Sequence, residues 1–144
     1  NGWSSPKDII LKLMEILTVK GGTGHIVEFF GEGCESISAT GKGTITNIGA
    51  EHGATCSIFP YDSSMSKYLI ATSRKDIATL ADQYAEFLKA DPEVYAEPQD
   101  HYDQLIKIDL NKLEPQIVGP HSPDLCRPVS KLKNEIKEKD RYAV

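Results

Sequence analysis

The sequence predicts a small α/β domain: a mainly parallel sheet with helices on both faces. Three observations carry that expectation. An amphipathic helical run at residues 9–17 leads into a short β-branched and aromatic run at 25–30, bounded by glycines. A second such run, 54–59, follows a Gly-rich stretch, and helical patterns then separate it from alternating residues at 104–110. The 144 residues, 40% hydrophobic and 26% charged, suit one ordinary globular domain with its own core.

The elements follow in order. Ser4-Ser5-Pro6-Lys7-Asp8 supplies a capping serine, a proline at a first-turn position and an acid suited to the positive end of a helix. Ile9, Ile10, Leu13, Met14, Ile16 and Leu17 then recur at helical spacing until Gly21-Gly22 stops the run. Residues 25–30 read as a buried strand. Between 31 and 53 six glycines stand among Thr and Ser, which predicts functional loops around short helical turns. Residues 54–59 form the second strand candidate, ended by Pro60. Helices are expected over 63–71 and 73–89, the second capped by Ser73 and keeping Ile77, Leu80, Ala81, Tyr84 and Leu88 on one apolar stripe.

Residues 91–100 hold two prolines and four acids, so a mobile surface loop is expected there. Alternation over 104–110 predicts a third strand, and 115–118 a short extended piece. Residues 119–124 read as an extended linker and 130–141 as a solvated helix at best. The expected division is an α/β domain over 1–120 and a charged linker over 121–144.

Composition narrows the function. A formal charge of −5 has the wrong sign for neutralising phosphates or coating an anionic membrane, so nucleic acid is disfavoured. No apolar run is long enough to span a bilayer, so no membrane partner is expected. Cys34, Cys56 and Cys126 are widely spaced, which argues against a disulfide framework and fits a reducing compartment. The start, Asn1-Gly2-Trp3, has neither an initiator Met nor a signal and reads as an excision from something longer.

Most familiar chemical motifs are missing. Gly21-Gly22-Thr23-Gly24 follows a helix and precedes a strand, the reverse of a phosphate loop, and is expected to be a helix C-cap and turn. His25, His52, His101 and His121 are scattered and form no metal-binding spacing. Nothing resembles a Gly-x-Ser-x-Gly elbow. On a helical turn, however, Asn47 and Glu51 stand at i and i+4, so an amide and a carboxylate project from one face. Two readings stay open: a capping or surface pair, which spacing alone favours, or an acid/base unit whose amide orients the carboxylate.

The string Asn47-Ile48-Gly49-Ala50-Glu51-His52-Gly53-Ala54-Thr55, followed by Phe59-Pro60-Tyr61, resembles the second-domain signature of the aconitase family, mitochondrial type. Gly2-Trp3-Ser4-Ser5-Pro6-Lys7-Asp8, Leu17-Thr18-Val19-Lys20-Gly21-Gly22-Thr23-Gly24 and His101-Tyr102-Asp103-Gln104-Leu105-Ile106 match the same family in the same order, so the resemblance covers residues 2 to about 130.

The resemblance implies a fragment of a hydro-lyase that interconverts citrate and isocitrate through cis-aconitate, in mitochondria, with a [4Fe-4S] cluster acting as Lewis acid. Asn47 and Glu51 match family active-site positions. Glu51 would help the iron-bound hydroxyl leave, and Asn47 would support the site. The family's cluster cysteines belong to its third domain, and Cys34, Cys56 and Cys126 do not fall in that motif. The cluster is therefore expected in the full-length parent and not on this chain alone. Partners would be the other domains of the same enzyme and citrate, isocitrate or a related tricarboxylate, and the isolated chain would be inactive. The acidic 91–100 segment and the charged tail leave two alternatives: a paralogue acting on homoaconitate, or a non-catalytic binding or structural domain.

Overall fold

The computed structural model describes residues 4–17, 21–119 and 125–139. Ser5, at the start of α1 (Pro6–Leu17), is tied to the first turn by Asp8. One Asp8 oxygen accepts the Ser5 backbone N–H at 2.6 Å and the Ser5 hydroxyl at 2.8 Å, while Pro6 takes a first-turn position that needs no N–H. The other Asp8 oxygen accepts the Gln116 N–H at 2.7 Å, so one buried acid ties the start of α1 to the far end of the chain. Ile10, Leu13 and Met14 of α1 form the core with Ile37 and Ile45, and Val27, Phe29, Phe59, Ile106 and Ile108 pack around them.

Strands β1 (Ile26–Glu28) and β2 (Cys56–Ile58) pair in parallel, with Ile26 opposite Cys56 and Glu28 opposite Ile58. Successive side chains point to opposite faces. Val27 therefore packs into the core, and the Ser57 hydroxyl lies against a helix glycine, Gly49. Ile26, Cys56 and Ile58 share the other face and are exposed. Just beyond the strands Phe29 and Phe59 stack, with centroids 4.4 Å apart. The expected α/β class is the class found. A second, antiparallel pair joins β3 (Gln116–Val118) to β4 (Cys126–Pro128), and Arg127 closes its connection by donating to the Gly119 and Leu125 carbonyls.

Several elements differ from expectation. The Gly-rich stretch is mainly helical: α2 (Glu32–Glu35), α3 (Ala39–Gly49) and a 3-10 turn, Ala50–His52. Ser38 caps α3 by accepting the Gly41 N–H at 3.1 Å. Gly41 serves close packing, since a Cβ there would meet Pro6 Cγ at 2.8 Å.

The expected 73–89 helix is split into α5 (Lys75–Gln83) and a 3-10 turn, Ala85–Leu88, after α4 (Ser63–Ala71). Ser73 does not cap α5; it ends α4. Its φ is 62°, its N–H donates to Ile70, and the Arg74 N–H donates to Leu69 at 2.8 Å, the bonding of a Schellman stop. On α5 Ala78 is buried and Asp82 accepts from Tyr61 and Ser66, which leaves Ile77, Leu80 and Tyr84 exposed.

Residues 91–100 fold into α6 (Pro92–Ala96) and a 3-10 turn, Pro98–Asp100, because both prolines fall at first-turn positions. Phe30 holds this segment by stacking on Tyr95 and Tyr102 at 5.7 and 5.5 Å. Burial pushes the Tyr102 phenol up to about 12, helped by the Glu28 carboxylate beside it.

No strand forms over 104–110, because no neighbouring strand bonds its backbone among the described residues; the alternation instead turns Ile106, Ile108 and Leu110 to the core. Residue 120, where the sequence reading divides the chain, lies between the paired strands β3 and β4. Helix α7 (Val129–Lys139) follows, with Arg127 ion-paired to Glu135. Residues 120–124 of the expected linker, 140–144 of the tail and the motif residues 2–3 and 18–20 lie outside the described residues.

Candidate functional site

Asn47 lies in the last turn of α3 and Glu51 in the 3-10 turn that continues it. The junction keeps right-handed helical angles, with Gly49 at φ −54°, ψ −32° and Ala50 at φ −64°, ψ −31°. Helical periodicity then sets the two faces of α3. Gly41, Lys42, Ile45 and Gly49 are buried, whereas Asn47 and Glu51 share the outer face and are exposed. Neither side chain has a hydrogen-bond partner among the described residues. An amide and a carboxylate thus stand one turn apart on the same exposed face.

The turn that carries them is pinned to the sheet. Gly53 ends it with φ 77°, a conformation that suits glycine, and its N–H donates to Ala50 at 3.1 Å. A Cβ on Gly53 would lie 2.7 Å from the Thr23 hydroxyl, and one on Gly49 would lie 2.7 Å from that of Ser57. Two glycines therefore let the end of α3 seat against both strand segments. Ala54 bridges Thr23, the Thr55 N–H donates to the His25 carbonyl at 2.8 Å, and His25 Nδ1 stands 3.0 Å from the Thr23 carbonyl. Glu51 accordingly sits where the chain enters the parallel pair. Gly21-Gly22-Thr23-Gly24 forms the expected turn, and Thr23 in it packs against Gly53 and bridges Ala54, contacts that motif spacing did not signal.

The residues do not fit an iron–sulfur cluster. Cys34 in α2 and Cys126 in β4 are buried, and burial pushes both thiols up, against the thiolate form a metal needs. Cys56 is exposed on the sheet. Among the described residues no group of three or more His, Cys, Asp or Glu could hold a metal ion.

This geometry defines an α/β domain that presents an amide–carboxylate pair on a pinned helix end. Residues 1–143 match the Aconitase family (aconitate hydratase), and the chain belongs to that family. It is 57% identical over 139 residues to "Aconitate hydratase, mitochondrial" of Schizosaccharomyces pombe, covering 96% of this chain and 17% of that protein. The protein of the same name from Gracilaria gracilis is 58% identical over 136 residues, 94% of this chain and 17% of that one. That of Saccharomyces cerevisiae is 58% identical over 134 residues, 92% of this chain and 16% of that one. The chain thus spans about a sixth of the length of these relatives.

Proposed function

We propose that this domain serves an aconitase-type hydro-lyase of mitochondria, one that interconverts citrate and isocitrate through cis-aconitate. The observation that carries the reading is the exposed Asn47–Glu51 pair, lying within a family match that runs over residues 1–143. Dehydration of a hydroxy acid takes a proton from one carbon, onto a base that another part of the longer polypeptide would supply, and a hydroxide from its neighbour. The hydroxide leaves far more easily as water. In its protonated form Glu51 delivers that proton to the departing hydroxyl oxygen, and in hydration it takes the proton back from water. Asn47, one turn earlier on the same face, orients the carboxyl and hydrogen-bonds the polar substrate beside it. The [4Fe-4S] cluster typical of the family would be held by other parts of the longer polypeptide, as would the groups that bind the substrate carboxylates.

The reading is tested by following cis-aconitate formation from citrate and from isocitrate, with the 144-residue chain alone and with the longer polypeptide that contains it. Turnover of both substrates by the longer form and none by the chain alone supports it. A longer form that turns over neither substrate removes it.

A further inference from the structure

We infer that Gly49 is a positioning residue for Glu51, its missing side chain setting how closely the turn that carries the acid lies on β2; this rests on the proton-transfer role proposed above. Nothing in its own backbone asks for glycine, since φ −54° and ψ −32° are ordinary helical angles that alanine adopts at lower cost. The reason lies across the gap to β2. A Cβ on Gly49 would stand 2.7 Å from the Ser57 hydroxyl oxygen and 3.7 Å from Ser57 Cβ. The second distance is an ordinary contact and the first is not, so one oxygen fills the space an alanine would need.

The contact bears on the acid because the turn has little play. Ile45, one turn before Gly49, is fully buried in the core and fixes the body of α3. Helical angles continue through Ala50, which passes any shift of Gly49 on to Glu51 two residues later. Two residues beyond Glu51, Gly53 lies against Thr23, where a Cβ would meet that hydroxyl at 2.7 Å. Glu51 is thus midway between two close contacts with the strand segments. An alanine at 49 forces the helix end and β2 apart by about 0.5–1 Å. Proton transfer needs donor and acceptor within about 2.6–3.2 Å, and a misplacement of about 1 Å can cost about 10²-fold in rate.

The test measures the effect of Gly49→Ala on kcat in three backgrounds of the longer, cluster-loaded polypeptide: wild type, Ser57→Ala and Glu51→Gln. In wild type kcat is expected to fall about 10- to 100-fold with KM little changed. Ser57→Ala removes the obstructing oxygen, so there the same alanine should cost under about threefold and, as the better helix former, raise the melting temperature. In Glu51→Gln it should cost nothing further, because the group it displaces is already disabled, whereas general damage to the fold would lower kcat in every background. Wild-type kcat for Gly49→Ala overturns the inference, since it would mean that Ser57 merely turns its hydroxyl aside. So does a loss that persists in the Ser57→Ala background. The Glu51→Gln enzyme separates the two readings. If it is slow while Gly49→Ala runs at full speed, positioning alone fails; if it keeps wild-type kcat, the role proposed for Glu51 fails and this inference with it.

Discussion

The Lys42 ammonium, on the buried side of α3, is ion-paired with the Asp62 carboxylate that caps α4. Lys42 is 2% exposed and stands 5.8 Å from the Phe59 ring centroid. The two partners do not depend on each other equally. Asp62 also accepts from the Ser64 N–H, the Met65 N–H and the Ser64 hydroxyl, at 3.0, 3.2 and 2.7 Å. Among the described residues Lys42 has, besides Asp62, only a long hydrogen bond to the Ser64 hydroxyl, at 3.4 Å.

Removing the acid should therefore cost more than removing the base. Asp62→Ala strands a buried ammonium and deletes a cap, at about 3–5 kcal/mol. Lys42→Met leaves a carboxylate still bonded by α4, at about 1–2 kcal/mol. The double variant Lys42→Met with Asp62→Asn keeps a capping side chain and buries no charge, so it should lie within about 1 kcal/mol of the parent or above it. Urea unfolding of the three variants measures the order.

Acid should weaken the fold through Asp8 and Asp62. Burial pushes each carboxyl up, but hydrogen bonds from Gln116 and Ser5 to Asp8, and from Lys42 and Ser64 to Asp62, outweigh it and hold both below the ordinary 3.8. The folded state thus binds fewer protons than the unfolded one in this range. The stabilisation is complete above the unfolded value and is lost as pH falls through the lower folded values. Unfolding free energies of wild type and Asp8→Asn, measured from pH 7 to pH 3, should converge as the pH drops. A constant gap would contradict the assignment.

Ser73 holds a left-handed conformation that costs a side chain about 1–2 kcal/mol and glycine almost nothing. Glycine loses part of that gain through its freer unfolded state. Ser73→Gly should raise stability by about 0.5–1 kcal/mol, read as a higher melting temperature with unchanged circular dichroism.

The strands at 26–28 and 56–58 were legible because β-branched and aromatic residues lie between glycines, and α1 because serine, proline and aspartate mark its start. The Gly-rich α3 was not. Gly41 and Gly49 look like loop residues in sequence, yet they are there to let a helix approach Pro6 and Ser57. The 91–100 segment misled for a related reason, since prolines that break a helix interior also begin helices, and its anchor, Phe30, lies over sixty residues away in the chain. Asn47 and Glu51 could be paired from their spacing alone. Their pinning by Thr23 and Gly53 depends on a contact across thirty residues that no local pattern encodes.

Proton exchange between Glu51 and the substrate hydroxyl, as proposed, is isolated by Glu51→Gln in the longer, cluster-loaded polypeptide. Glutamine keeps the shape and hydrogen bonding of the side chain but cannot exchange a proton. kcat is expected to fall by about 10²–10⁴ while KM changes little, with the melting temperature unmoved, since an exposed substitution shifts stability by under about 0.5 kcal/mol. A Glu51→Gln protein with wild-type kcat would contradict it.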